Sequence, residues 1–235
     1  MDDTTTPDGT GPVTVNVTDG VAVIELDDGK ANALGFDVLA GLESALDRAE
    51  ADDVSAVVIV GREGKFSAGF DLKVMTSGPE GARDMLGRGA LLGLRMYMFP
   101  KPVVLAVTGH ALAMGAILLC CADVRVGADG PFKIGLNEVA IGMPVPGFAV
   151  GVCQDRLAIP AFTAAIQLAR IHSPAEALAA GFLDEVVDVA AVRDRAVEVA
   201  AELGTRLHRG PFRVTRETVR GPVAERLRSE LTADL

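Results

Sequence analysis

Three short pieces of this sequence carry residues that could do chemistry together. Residues 66–72 (FSAGFDL) and 109–115 (GHALAMG) each follow an apolar, strand-like run and precede helix-like sequence. At such a junction, backbone N–H groups lack partners and the positive end of a helix dipole lies close by. Two such junctions brought together would form an oxyanion hole. The third piece, residues 134–138 (IGLNE), ends in a carboxylate, Glu138, that could serve as a base beside it.

The predicted donors are the backbone N–H groups of Phe70 and Met114. Gly69 allows close backbone approach at the end of a strand, which leaves the Phe70 N–H pointing outward. Met114 opens a helix, so its N–H has no acceptor within that helix. Convergent donors of this kind stabilise a carbonyl oxygen as it becomes negative. Taken singly, each junction is better explained as an ordinary strand–helix connection.

Glu138 stands among apolar neighbours, with Val139 and Ile141 following it and glycines on both sides. A carboxyl group in apolar surroundings has a raised pKa, which suits a group that moves protons. Spacing alone favours the simpler interpretation, a surface or salt-bridged glutamate.

Composition narrows the class of protein. The 235 residues are 49% hydrophobic and 23% charged, which is typical of a globular protein of one large domain, or one domain with a helical appendage. The net charge of −10 argues against nucleic acid as a partner. Three cysteines occur without a C-x-x-C spacing, so no metal site is expected.

The chain shows no sign of a membrane or of secretion. Its first residues are polar and acidic, unlike a signal peptide, and no apolar run reaches the length that spans a bilayer. A cytosolic protein with no membrane contact is therefore the simplest prediction.

The order of elements predicts an α/β fold with parallel strand pairings. Residues 1–11 are rich in Asp, Thr, Gly and Pro and are predicted to be a disordered tail. A β-hairpin is predicted over residues 13–26, and strands then alternate with helices up to residue 190. From residue 207 the sequence becomes Arg-rich, and Pro211 and Pro222 are predicted to open short helices.

Four ordered motifs resemble the crotonase superfamily, that is, enoyl-CoA hydratases and isomerases. They are residues 30–34 (KANAL), 67–72 (SAGFDL), 101–123 (beginning KPV) and 173–187 (SPAEAL followed by GFLDEVV). The likeness runs from about residue 13 to residue 190. It implies a spiral of ββα units over residues 12–190 and a C-terminal helical trimerisation region over residues 191–235. A homotrimer or a hexamer is expected.

The resemblance also implies an acyl-CoA substrate, with coenzyme A as part of the substrate and no separate cofactor. The thioester oxygen is expected between the N–H groups of Phe70 and Met114, with Glu138 as the acid–base group. The residues expected to meet coenzyme A are Lys30, Ala31, Ser67, Ala68, Gly69, Asp71 and Leu72.

Two departures from the family pattern bear on the reaction. Hydratases of the family place a catalytic glutamate three residues after the second oxyanion position, and that residue is Ile117 here. The oxyanion position is usually glycine, and it is Met114 here. This chain keeps one glutamate, Glu138, and has an aliphatic residue at the other position. That pattern is similar to the one in mitochondrial Δ3,Δ2-enoyl-CoA isomerases. The resemblance therefore favours an isomerase, with a hydratase or a catalytically weak acyl-CoA-binding protein as alternatives.

Overall fold

The computed structural model describes residues 11–234, with side chains described through residue 231. The predicted tail over residues 1–11 lies outside the described residues apart from Gly11. The strands are β1 (Val13–Thr18), β2 (Val21–Leu26), β3 (Ala33–Leu34), β4 (Ala56–Gly61), β5 (Gly64–Ser67), β6 (Gly69–Phe70), β7 (Val103–Val107), β8 (Gly109–Leu112), β9 (Val124–Ala128), β10 (Ile134–Gly135) and β11 (Glu185–Val187). The α-helices are α1 (Phe36–Ala49), α2 (Leu72–Met75), α3 (Pro79–Tyr97), α4 (Met114–Cys121), α5 (Gly147–Arg156), α6 (Ile159–Ile166), α7 (Pro174–Ala180), α8 (Val192–Arg206) and α9 (Arg209–Asp234).

The largest sheet has six strands in the order β1-β2-β4-β7-β9-β11. Strands β1 and β2 form the predicted antiparallel hairpin, with Val13 opposite Leu26 and Thr18 opposite Val21. The remaining pairings in this sheet are parallel. The predicted α/β class with parallel strands is therefore confirmed.

Both faces of this sheet are covered, because side chains along each strand alternate between two cores. In β2, Ala22 and Ile24 enter the larger core, which also contains the apolar faces of α1, α3 and α4. Val21 and Val23 enter a smaller core, where α8 contributes Val192, Ala196 and Ala200. Full burial of a Val or Ile side chain stabilises a fold by about 1.5–3 kcal/mol, so the two cores fix the sheet between its helices.

Two smaller sheets carry the segments singled out in the sequence. Strands β5, β8 and β10 form a parallel three-stranded sheet, and β3 pairs with β6 in parallel. The carboxyl ends of β8 and β10 therefore lie at the same edge. The predicted oxyanion segment after β8 and the segment that leads to Glu138 after β10 both leave the sheet there.

The C-terminal region differs from the prediction of short helices opened by prolines. Residues 209–234 form one helix, and Pro222 lies inside it. A proline inside a helix removes one backbone hydrogen bond, and tertiary contacts offset this cost here. Arg216 donates two 2.7 Å hydrogen bonds to the Asp123 carboxylate, and Leu227 is buried. Helix α9 thus packs on its own chain, which leaves its opposite face for any contact between subunits.

No helix in residues 11–234 combines the length and the apolarity needed to cross a membrane.

Candidate active site

The two predicted oxyanion segments lie against each other. Gly69 has a φ of +92°, and a Cβ placed on it would lie 2.8 Å from the Cβ of Ala113 and 3.2 Å from the backbone nitrogen of Met114. Only glycine combines this positive φ with so close an approach. The structure therefore brings the segment that contains Phe70 beside the start of α4.

Each segment leaves one backbone N–H group without an acceptor in its own secondary structure. The Asp71 N–H donates to the Leu34 carbonyl of β3 at 3.3 Å. Successive N–H groups of a strand point to opposite sides, so the Phe70 N–H points away from β3. Met114 is the first residue of α4, where N–H groups have no acceptor within the helix. Both groups can therefore donate to a ligand.

Ala113 holds the turn between β8 and α4 in a strained conformation. Its φ is +50° and its ψ is −126°, a region that favours glycine. Such a backbone costs about 1–3 kcal/mol and persists only when the surroundings enforce it. The Ala113 N–H donates to the Gly135 carbonyl at 3.0 Å, and the Ala113 carbonyl accepts from the N–H groups of Ala116 and Ile117. An alanine gives no sequence signal of this conformation.

Glu138 follows β10, whose Gly135 pairs with Leu112 at the end of β8. Its carboxyl group is therefore on the segment beside the second oxyanion turn. Glu138 is only 7% exposed, and its Oε2 atom is buried without a hydrogen-bond partner among the described residues. Burial raises the pKa of Glu138, although hydrogen bonds from nearby backbone N–H groups act in the opposite direction. A buried carboxyl with one unpaired oxygen and a raised pKa is suited to exchange protons with a ligand.

The surroundings of the two donors are apolar. Met114 and Ile117 are each 2% exposed. A Cβ placed on Gly89 of α3 would collide with the Phe70 ring and would lie 3.6 Å from the Met114 Cε atom. The side chains of Phe70 and Met114 therefore both pack against α3 at Gly89. Ile117, one turn into α4, adds an aliphatic group where the family hydratases carry a second glutamate.

Several of the seven residues expected to meet coenzyme A are exposed or half-buried. Lys30 and Ala68 are exposed and Ala31 is half-buried, and the Ala68 N–H donates to the Ala31 carbonyl at 3.1 Å. Leu72 is 67% exposed. These four residues are therefore at least partly accessible to a ligand.

The other three expected coenzyme A residues have local structural partners. Gly69 is buried against Ala113, as described above. Asp71 accepts a 2.8 Å hydrogen bond from the Lys73 N–H and so caps α2. Ser67 has no exposed area, and its hydroxyl donates to the Asn32 carbonyl at 2.7 Å.

Asn32 is a residue of the site that sequence reasoning missed. It is fully buried with a φ of +51°, and its amide nitrogen donates to the carbonyls of Leu26, Lys65 and Phe66. It thereby ties the loop after β2 to the strand that leads into the first oxyanion segment. Asn tolerates a left-handed backbone better than most residues, and this was the only signal available in the sequence.

Neither His110 nor the cysteines offer a second catalytic group. The Nδ1 atom of His110 accepts the Lys133 N–H at 3.0 Å, and the ring packs edge-on against Phe132. The thiols of Cys120 and Cys153 lie 3.6 Å apart and are buried, as is Cys121. The contact with Cys120 and burial raise the pKa of Cys153, so this thiol is inert.

Comparison with known proteins identifies the family and the fold. The family model described as enoyl-CoA hydratase/isomerase matches residues 16–235. The chain belongs to this family. The crotonase fold, with its C-terminal helix, is confirmed by solved structures of the family, including human mitochondrial Δ3-Δ2-enoyl-CoA isomerase, with a TM-score of 0.90 at 30% identity over 95% of this chain and 88% of that one.

The family relatives carry both activity names. Mouse mitochondrial enoyl-CoA delta isomerase 1 is 35% identical over 77% of this chain and 64% of its own length. A probable enoyl-CoA hydratase of Bacillus subtilis is 39% identical over 55% of this chain and 50% of its own length. A solved enoyl-CoA isomerase of Mycobacterium tuberculosis is 42% identical, with a TM-score of 0.91, over 96% of this chain and 98% of that one. The comparisons therefore show the enoyl-CoA hydratase/isomerase family and leave the reaction open.

Proposed function

We propose that this member of the family is a Δ3,Δ2-enoyl-CoA isomerase in which Glu138 is the sole acid–base group. The observation that carries the proposal is the pairing of one buried carboxyl, whose Oε2 atom lacks a partner, with an aliphatic residue, Ile117, at the other catalytic position. Hydration requires a water to be held and activated on one carbon while a proton reaches the next, and hydratases of the family use two carboxylates for this. Moving a double bond requires one base.

The proposed mechanism uses three groups of the chain. The thioester oxygen lies between the N–H groups of Phe70 and Met114. Glu138, as the carboxylate, takes a proton from C2, and the negative charge spreads over a dienolate whose oxygen the two N–H groups stabilise. The protonated Glu138 then returns the proton to C4, so the double bond moves from C3 to C2. A positioned base of this kind contributes about 10²–10⁴-fold to the rate.

In the same proposal, coenzyme A binds along the edge where the loop after β2 meets the first oxyanion segment. Lys30, Ala31 and Ala68 lie at its nucleotide end, and Leu72 is exposed. The apolar side chains of Phe70 and Met114 lie toward the acyl group. The acyl thioester enters as the substrate, and the chemistry needs no cofactor besides the coenzyme A that it carries.

The second candidate is an enoyl-CoA hydratase, which the name of the Bacillus subtilis relative favours. The test is one spectrophotometric comparison of two substrates with the wild-type protein. We expect a 3-enoyl-CoA to be converted to the 2-enoyl isomer, and crotonyl-CoA to be hydrated at least about 100-fold more slowly, because a positioned second acid–base group is worth 10²–10⁴-fold. Faster hydration than isomerisation would favour the hydratase, and CoA binding without either reaction would identify a binding protein.

The raised pKa of Glu138 predicts a specific pH dependence. The free enzyme needs the carboxylate form, so kcat/KM for isomerisation should fall as the pH drops through the pKa of Glu138. Because burial raises that pKa, the midpoint should lie above the ordinary glutamate value of 4.5. A pH profile of kcat/KM measures it, with circular dichroism at each pH as the control for unfolding. A midpoint at or below 4.5 would contradict the role of a buried Glu138.

The homotrimer or hexamer is also proposed on the family likeness. Exposed apolar side chains support it, among them Ile159 at 91% exposure and Val219 on α9 at 65%. A cytosolic location stays a prediction, since the mouse relative is named as mitochondrial.

A further inference from the structure

The hydroxyl of Ser67 is buried next to the two oxyanion segments. Ser67 is neither of the residues, Phe70 and Met114, whose N–H groups are the proposed donors. Ser67 ends β5 near the start of the first segment, three residues before Phe70, and it has no exposed area. Its Oγ atom donates to the Asn32 carbonyl at 2.7 Å and accepts the Gly69 N–H at 3.2 Å. The hydroxyl therefore fixes the residue whose backbone leads into the Phe70 N–H.

Ser67 also touches the second segment. A Cβ placed on Gly115, the second residue of α4, would lie 2.5 Å from the Ser67 carbonyl oxygen and 2.9 Å from the Ser67 Cβ. The first turn of α4, which presents the Met114 N–H, thus rests on the backbone of Ser67. A change in the position of Ser67 moves both donors relative to each other.

Asn32 holds Ser67 from the other side. The Asn32 amide binds the carbonyls of Lys65 and Phe66, the two residues before Ser67. Its Oδ1 atom accepts the Asp28 N–H at 3.0 Å, and the Asp28 carboxylate in turn accepts the N–H groups of Lys30 and Ala33. One chain of hydrogen bonds therefore runs from the loop that carries Lys30 to Gly69.

We infer that Ser67, supported by Asn32, is a positioning residue that sets the direction and spacing of the two oxyanion donors. The inference rests on the proposed function of the two N–H groups. Ser67 has no surface with which to touch a ligand, so it acts through Gly69 and Gly115. A misplacement of about 1 Å at a reacting group can cost about 100-fold in rate, which gives the hydroxyl a measurable role.

The test measures the oxyanion site without relying on turnover. Acetoacetyl-CoA forms an enolate that absorbs in the near ultraviolet, and two N–H donors at its thioester oxygen favour that enolate. We expect wild type to increase the enolate absorbance, and Ser67→Ala to reduce the increase about 10-fold or more, by the scale of a misdirected oxyanion donor. The affinity for free coenzyme A, which has no acyl oxygen, should stay unchanged.

Kinetics and matched variants separate positioning from stability. Ser67→Ala should lower kcat for 3-enoyl-CoA isomerisation about 10- to 100-fold with little change in KM. Ser67→Thr keeps the hydroxyl and should recover most of the enolate signal. The control is Ser55→Ala, which removes a hydroxyl bonded to the Gly20 carbonyl at 3.0 Å, at the opposite end of the large sheet. It should leave both kcat and the enolate signal at wild-type levels.

A second variant tests the support of Ser67. Asn32→Gly keeps the positive φ accessible and removes the amide. Because Asn32 and Ser67 belong to one chain of hydrogen bonds, the effects of Asn32→Gly and Ser67→Ala on the enolate signal should be less than additive.

The outcomes are distinguishable. A folded Ser67→Ala protein with a wild-type enolate signal and a wild-type kcat overturns the positioning role of Ser67. A wild-type protein that binds acetoacetyl-CoA without favouring its enolate overturns the proposed oxyanion function itself.

Discussion

Replacing Glu138 with Gln should lower the isomerisation rate of a 3-enoyl-CoA at least about 100-fold, the lower end of what a positioned base contributes. An amide has nearly the shape of the carboxyl group and cannot take the proton from C2. The fold should persist, because Glu138 is buried with an unpaired Oε2 atom and the substitution removes a charge that burial disfavours. The measurements are kcat on the 3-enoyl-CoA and the melting temperature.

Glu185→Gln provides the matched control for this variant. Glu185 lies in β11, at the far edge of the large sheet, and pairs with Arg195 at 2.9 Å on a partly exposed surface. The same chemical change there should leave kcat unaltered, since an exposed ion pair contributes only about 0–1 kcal/mol to stability. Both variants should bind coenzyme A like wild type. Turnover by Glu138→Gln at the rate of the control would show that Glu138 is not the base.

Installing a carboxylate at position 117 should cost stability, and it should raise the hydration rate of crotonyl-CoA above that of wild type if Met114 leaves room for a water. Ile117 is 2% exposed among apolar side chains, so Ile117→Glu buries an ionisable group at a cost of several kcal/mol unless its pKa rises. A lower melting temperature is expected whatever the activity. Hydration increases only if a water finds room beside Met114, whose side chain packs toward α3.

Ile117→Gln is the control that separates size and polarity from proton transfer. It introduces a similar polar chain that cannot accept a proton, so it should lose stability without gaining hydration. Efficient hydration by the wild-type protein, which has an aliphatic residue at this position, would contradict the role assigned to Ile117. In that case Glu138 alone, or another group, would have to activate water.

Several parts of this structure follow from local chemistry that a sequence displays. A serine followed three residues later by a glutamate is expected to cap a helix, and α7 begins with this reciprocal pair of hydrogen bonds between Ser173 and Glu176. Gly181 ends the same helix with a φ of +92°, as glycine after a helix is expected to do. The hairpin of β1 and β2 is likewise confirmed, because its turn and its alternating pattern act over a few neighbouring residues.

Other parts depend on contacts between residues far apart in the chain. Pro222 has the local chemistry of a helix start, yet it lies inside α9, which is held by Arg216 on Asp123, 93 residues away. The left-handed backbones of Asn32 and Ala113 are likewise imposed by their surroundings. The prediction that Phe70 and Met114 approach each other came from family resemblance, since neither junction carries that information alone.

The strained turn at Ala113 has a consequence for how this protein meets its ligands. Hydrogen bonds within the chain, from the Ala113 N–H to the Gly135 carbonyl and from the Ala116 N–H to the Ala113 carbonyl, hold the backbone conformation that directs the Met114 N–H. In the proposed mechanism, the fold itself therefore sets the direction of this oxyanion donor before a thioester binds. Proteins with such preformed sites change their backbone by about 1 Å or less on binding. We therefore expect the backbone at Ala113 to move by about 1 Å or less when an acyl thioester binds.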